Sequence, residues 1–391
     1  MIKTKFLYEN PWNFFMEKIR AKFDSDLAFR YIDSQNSLFD IAKEISQSSL
    51  ITVDTEFCRK NTYYPILSII QIRYKNLQGK KNNVIIDCMK DIDISPIFDI
   101  INNPKIKKIF HSAIQDLQIF YYLSKKIPQN IVDTQIMANF CGFGFNAGYS
   151  KLVKRILNIR IDKDLQNSEW RIRPLTYSQL KYAISDVIYL EEIYNSFIKT
   201  INSKRLAWYE EEMNRFIGKL SYQGIENLFR NFSFIKKNDI QISQTKKLIM
   251  LRENISKRIN VPRQRFLKDI HIEFIVEYKE ITNDIINKNN IKYIDDIREI
   301  INSHEVIKTE YVDLSMSSEQ KNIFLQAKKF INKISFQENF QEQFLISNLD
   351  LKKIICEKEL FGKIVSGWRY QVFGNDLEKI INKKNYENVY C

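Results

Sequence analysis

Apolar and polar positions change their spacing several times along the chain, and each change predicts an element. "FRYI", Phe29–Ile32, reads as a short strand. Leu38, Ile41, Ala42 and Ile45 recur at helical spacing within Ser37–Ser46. Ile51–Phe57 alternates as a strand, and "PILSIIQIRY" and "NNVIIDC" supply two more. The short link between the last two predicts an antiparallel pair, and hence a mixed sheet. A helix near Ile94–Ile101 and a strand at Ile106–Phe110 come next. In "HSAIQDLQIFYYL", Ser112 and Gln115 have capping-box spacing, which predicts a helix start at Ser112. Further helices are predicted near Thr134–Cys141, Tyr149–Leu157 and, as one long element, Thr176–Lys199. Strands alternating with helices make this an α/β domain.

Beyond about Lys204 the strand signals fade and helical periodicity runs to the end. Residues 1–26 form an aromatic, mixed-charge extension with no assigned role. Residues 27–204 form the α/β domain, and 205–239 a helical linker. Residues 240–306 and 315–385 are each the size of a small helical bundle. Sequence similarity between those two segments is weak.

The length of 391 residues fits two or three domains. The formal net charge of +13 favours a polyanionic partner, nucleic acid before anionic membrane. The chain is also rich in Ile, Lys and Asn throughout, and a coding bias would raise lysine without any such partner. The five cysteines form no C-x-x-C pair and are odd in number, which reads as reduced thiols in a cytosol. The three histidines, His111, His271 and His304, lie far apart, so a His-rich zinc site is not expected. No phosphate-cradling glycine loop is present, which argues against a nucleotide cofactor. No apolar run reaches the roughly 18 residues that span a bilayer, so no membrane partner is expected.

Four acids and a tyrosine then stand out. Asp54 and Glu56 sit one residue apart on a predicted strand, so they share a face. Two carboxylates on one face repel unless a cation lies between them, and hard divalent cations take such ligands. A polar face meeting solvent is the ordinary alternative. Asp116 lies one turn into a helix, where the helix dipole commonly favours a solvated acid. Tyr182 and Asp186 are four apart on a helix face, which also describes a plain surface contact. Asp133 precedes an apolar helix and reads as its cap. Asp87 ends a strand, and His111, five residues before Asp116, could lie near the site but reads as structural at the helix entry.

The set Asp-x-Glu, Asp, then Tyr-x-x-x-Asp resembles the tyrosine branch of the DEDD exonuclease superfamily. "VDTEFCRKNTYYPILSIIQI", "HSAIQDLQIF", "IVDTQIMANFCGFGFNAGYSKLV" and "SEWRIRPLTYSQLKYAISDVIYL" resemble the ribonuclease D family in order and spacing, over about residues 28–200. "MLRENISKRINVPRQRFLKD" is similar to the helicase-and-RNase-D C-terminal (HRDC) domain, and "SGWRYQVFGNDL" resembles the tail of a second, divergent copy. The resemblance implies a ribonuclease H-like (DnaQ-like) exonuclease domain followed by one or two all-α HRDC-like bundles. It also implies two divalent metal ions, Mg²⁺ or Mn²⁺, with Asp54, Glu56, Asp116 and Asp186 as ligands and Tyr182 positioning the attacking water. Two metals about 4 Å apart suit phosphodiester hydrolysis, because they offset the charge that grows on attack.

The function implied is a cytoplasmic, metal-dependent 3′–5′ exoribonuclease that releases nucleoside 5′-monophosphates. Its implied substrates are tRNA precursors with 3′ extensions. The rival readings are a 3′–5′ DNA exonuclease, which would use the same acids, and an inert nucleic-acid-binding adaptor. Lys163, Arg171 and Arg173 precede the Tyr-x-x-x-Asp helix and are candidate phosphate contacts. Trp170 beside them could stack a base or pack, and reads as packing. Arg252, Lys257, Arg258, Arg263 and Arg265 form a candidate phosphate-binding face in the helical region, with a solvated bundle surface as the alternative. Arg59 and Lys60 are candidates for steering RNA toward Asp54 and Glu56.

Overall fold

The computed structural model describes residues 27–161, 165–166, 168–221, 229, 232, 238–307, 314 and 316–382. The N-terminal extension and Lys163 lie outside the described residues. Two compact units emerge. One contains the described residues up to Cys58 together with Leu67–Ser221, and the other contains Arg59–Ile66 and the chain beyond Ser221.

The first unit is built on six strands: β1 (Phe29–Ile32), β2 (Leu50–Cys58), β3 (Ile66–Lys75), β4 (Lys81–Asp87), β5 (Lys107–Phe110) and β6 (Ile131–Asp133). Their order across the sheet is β1-β4-β3-β2-β5-β6. β3 and β4 pair antiparallel, while β1–β4, β2–β5 and β5–β6 are parallel. The sheet is therefore mixed, as the short β3–β4 link predicts. β6 has only three residues, too few to show an alternation in sequence.

Apolar residues cover both faces of the sheet. On one face α1 (Gln35–Ile45), α2 (Ser95–Asn102) and α3 (Ile114–Ser124) bury Leu38, Ile41, Ile97 and Leu117 against Ile51, Val53 and Ile70. On the other, α6 (Tyr177–Ile188) buries Leu180, Ala183 and Ile184 against Phe29, Ile69 and Ile85. Between them in sequence lie α4 (Thr134–Phe140) and α5 (Tyr149–Leu157). The element predicted as one helix over Thr176–Lys199 is two, because it breaks at Tyr189 and resumes as α7 (Leu190–Thr200). The predicted linker from residue 205 begins inside a helix, α8 (Ser203–Ser221). α8 packs on α3, α4 and β6, and its Leu220 joins the core, so this unit runs on to Ser221.

The helix start predicted at Ser112 is displaced. Ser112 has φ +60°, and α3 begins at Ile114 without a side-chain cap of its own. The two amides just ahead of it are held from elsewhere. The Asp133 carboxylate accepts from Ser112 N (3.1 Å) and Ala113 N (2.8 Å).

The second unit is helical. α9 (Asp239–Arg258), α10 (Arg263–Phe266), α11 (Asp269–Tyr278) and α12 (Ile294–Asn302) close over Leu248, Ile249, Phe266, Ile272, Ile275 and Ile297. A second set follows: α13 (Ser318–Glu338), α14 (Glu342–Leu345), α15 (Asn348–Cys356), α16 (Phe361–Ile364) and α17 (Asn375–Asn382). The two sets repeat each other at a constant interval. Asn238 with Gln241 caps α9, and Ser317 with Gln320 caps α13. Asn260 and Asn339 both take positive φ where those helices end. Val261 N then bonds to Ser256 O, as Phe340 N bonds to Ser335 O, each at 3.0 Å. Ile275 and Val276 are buried in one copy, and Ile354 and Ile355 in the other.

Within this unit Arg59–Ile66, which directly follow β2 in the chain, are fastened to α9 and α10. Arg265 donates to Asn61 Oδ1 (2.7 Å), and Tyr64 N donates to Asn260 Oδ1 (3.1 Å). The Tyr63 hydroxyl bonds to Glu253, which also pairs with Arg263 and Lys257. Arg252 is buried and donates to Leu267 O and Asp269. The cations expected to form a phosphate-binding face therefore already hold protein partners, including Arg258 on the Tyr293 hydroxyl (3.2 Å). Arg59 and Lys60 are exposed.

Candidate active site

β2 sorts its side chains by the alternation of a strand. Thr52, Asp54 and Glu56 share the face that meets α6, while Ile51, Val53 and Thr55 face α3. Thr52 fastens α6 to the strand, its hydroxyl donating to Val187 O at 2.8 Å. Asp186, the preceding residue, thereby comes to Asp54 and Glu56. One oxygen from each of these three carboxylates lies within 4.8 Å of the other two.

Crowding three half-buried acids has a clear electrostatic result. Burial first, and then the charges of Asp54, Asp186 and Asp116, push the Glu56 carboxyl well above the usual carboxylate range. Burial and the Asp186 charge raise Asp54 well above the carboxylate range. Ionised together, the three acids require a cation. Hard oxygen donors at this spacing fit a divalent ion such as Mg²⁺ or Mn²⁺.

Asp116 arrives from the other layer. It sits in the first turn of α3, is buried, and stands outside the set of three. The Thr55 hydroxyl donates to its Oδ1. Its charge still reaches the others, since Asp54 raises the Asp116 carboxyl after burial does. Asp133 is the cap that its position suggests. Besides the two amides just ahead of α3, it accepts from Gln135 N (2.7 Å) and Ile136 N (3.3 Å) at the start of α4. One buried carboxylate thus sets the starts of two helices, and with them the root of Asp116. His111 is structural, with Nδ1 2.9 Å from the Thr134 hydroxyl.

Tyr182 stands one turn before Asp186 on α6. Burial and then the Asp186, Glu56 and Asp54 charges hold its phenol protonated. Its ring lies 6.0 Å from that of Trp170, which is buried in the core as packing.

Of the three candidate phosphate contacts, Arg171 is exposed. Arg173 is not available as one. Its Nε and Nη2 grip Asp87 (2.8 and 2.6 Å), Nη1 donates to Trp170 O and Ile172 O, and Nη2 also donates to Ser68 O. All five guanidinium donors are spent inside the fold. Asp87, at the end of β4 and fully buried, is the reason.

Sequence reasoning missed Thr52 and Thr55. Their strand position tells which face they take, but not that each hydroxyl meets a helix far along the chain.

A family model described as 3′-5′ exonuclease matches residues 29–202, the span that contains all four acids and Tyr182. Ribonuclease D of Bartonella henselae is 30% identical over 358 residues, 87% of this chain and 87% of its own length. The chain belongs to the ribonuclease D family. Ribonuclease D of Zymomonas mobilis is 29% identical over 90% of this chain and 94% of its own length. The crystal structure of Escherichia coli RNase D, described as an exoribonuclease involved in structured RNA processing, superposes with a TM-score of 0.76. It covers 92% of this chain and all of its own at 21% identity, which supports the fold. As a ribonuclease D family member the chain is a 3′–5′ exoribonuclease, and its substrate is RNA. Among the described residues no helix is long and apolar enough to cross a membrane.

Proposed function

We propose that this ribonuclease D family enzyme removes nucleoside 5′-monophosphates one at a time from the 3′ ends of tRNA precursors in the cytoplasm. Asp54, Glu56, Asp116 and Asp186 hold two divalent ions, Mg²⁺ or Mn²⁺. The observation that carries this reading is the convergence of Asp54, Glu56 and Asp186 within 4.8 Å. Bound there, such ions supply charge neutralisation and a water of lowered pKa.

The chain's own groups do the rest. Tyr182, kept protonated beside Asp186, orients the attacking water at the edge of the acid cluster. Thr55 and Asp133 hold Asp116 at the correct depth. Arg171, exposed ahead of α6, contacts the RNA backbone, as does Lys163. Both the tRNA and the cytoplasmic assignments are supported by the resemblance to bacterial ribonuclease D.

Digestion of 3′-extended tRNA, single-stranded RNA and single-stranded DNA with Mg²⁺ or Mn²⁺ tests the proposal. The extended tRNA should be shortened to a defined end with release of nucleoside 5′-monophosphates. Equal digestion of DNA, or activity undiminished by EDTA, would overturn it.

A further inference from the structure

α6 and α7 carry neither proline nor glycine, yet they part at Tyr189, whose φ and ψ are −107° and 1°. A helix without such a residue breaks when a side chain or water enters its ladder. Here the intruder is Tyr149, from the start of α5. In an unbroken helix the Tyr189 N–H would donate to the Ser185 carbonyl. Instead the Tyr149 hydroxyl stands between them. It donates to Ser185 O at 2.8 Å and accepts from Tyr189 N at 3.2 Å. The Tyr149 ring lies 5.7 Å from His111, the residue that anchors the α4 start through Thr134.

The place of the intrusion matters. Ser185 immediately precedes Asp186, and Val187 immediately follows it. The carbonyl before Asp186 is held by Tyr149, and the carbonyl after it by Thr52. Two hydroxyls from separate elements therefore bracket the backbone of one acid. We propose that Tyr149 and Thr52 are positioning residues for Asp186. Tyr149 ends α6 by insertion and Thr52 ties that end to β2, so that the Asp186 carboxylate faces Asp54 and Glu56. This rests on Asp186 being a metal ligand, as proposed above. Removing either hydroxyl should leave RNA binding alone and loosen the metal site, because groups that orient a ligand commonly contribute about 10- to 100-fold in metal affinity or activity.

The experiment compares wild type, Tyr149→Phe, Thr52→Val, Thr52→Ser and Asp186→Asn. Mn²⁺ is titrated into each without RNA and free Mn²⁺ is read by electron paramagnetic resonance. kcat and KM on single-stranded RNA are measured separately. Tyr149→Phe keeps the ring against His111. It should weaken Mn²⁺ binding and lower kcat by about tenfold or more, with KM within about twofold. Thr52→Val should do the same and Thr52→Ser should restore both values, which a general loss of stability would not. Should Tyr149→Phe fail to fold, the Thr52 pair decides alone. Wild-type Mn²⁺ binding and kcat in Tyr149→Phe and Thr52→Val, with Asp186→Asn impaired, would overturn the positioning role while leaving the metal reading intact. Asp186→Asn binding Mn²⁺ like wild type would overturn both.

Discussion

The Thr55 hydroxyl donates to Asp116 across the interface between β2 and α3, on the strand face turned away from Asp54 and Glu56. The strand thus serves its acids in two ways. It carries Asp54 and Glu56 directly, and it fixes the one acid that comes from the opposite layer. Both Thr55 and Asp116 are buried. Thr55→Val keeps the shape but leaves a buried carboxylate oxygen without its donor, a loss of roughly 1–3 kcal/mol. We expect lower thermal stability and a lower kcat, with Thr55→Ser close to wild type in both. Melting curves and single-turnover kinetics of the two variants check this, and wild-type kcat in Thr55→Val would refute it.

The acid cluster should exchange stability for activity. Three carboxylates within 4.8 Å repel one another when no cation is present. Asp54→Ala should abolish degradation yet melt at a higher temperature than wild type in EDTA. Divalent ion should raise the wild-type melting temperature, by about 2.7 kcal/mol of stabilisation at a hundredfold excess over Kd. The variant should gain little. Equal Mn²⁺-induced shifts in the two proteins would mean that Asp54 is not part of a metal cage.

Much of this site is legible in the sequence. Asp54 and Glu56 share a face by strand parity, and Asp133 precedes its helix as a cap should. These are local rules acting over a few residues. What escaped was long-range. The break at Tyr189 comes from Tyr149, forty positions earlier in the chain and silent in the local pattern. α3 starts at Ile114 and not at Ser112 because Asp133, distant in sequence, holds the Ser112 and Ala113 amides ahead of it. Arg173 looked free for phosphate because nothing nearby in sequence announced its pairing with Asp87. The repeat of the two helical bundles lies in caps and turn geometry: Asn238 and Ser317 do the same work with different residues.

Arg173 and Arg171 should therefore separate cleanly. Arg173→Ala leaves Asp87, fully buried, without its cation, and breaking a buried pair costs about 3–5 kcal/mol. Its melting temperature should fall sharply, while KM for RNA measured below that temperature stays near wild type. Arg171→Ala should melt like wild type, bind RNA more weakly at low salt, and show a shallower dependence of affinity on salt concentration. Affinity measurements across a salt series check both. A wild-type salt slope in Arg171→Ala would remove it from the RNA path.

The helical unit carries its own acid-sensitive joint at Glu253. Burial alone would raise this carboxyl, but Arg263, Tyr63 and Lys257 outweigh that and hold it at about 2, against an ordinary value of 4.5. A carboxyl held below its unfolded value binds its proton more weakly when folded. Its contribution is therefore complete above about pH 4.5 and is lost as pH falls toward 2. A shift of that size corresponds to roughly 3 kcal/mol. Glu253→Gln keeps the outline but drops the charge, leaving Arg263 without its counterion. It should be less stable than wild type at pH 7, and the two should converge between about pH 4.5 and 2. Denaturant unfolding of both proteins over that range, taken as a difference curve, isolates Glu253 from the other carboxylates. A difference that stays constant with pH would show that the ion pair with Arg263 does not stabilise the fold.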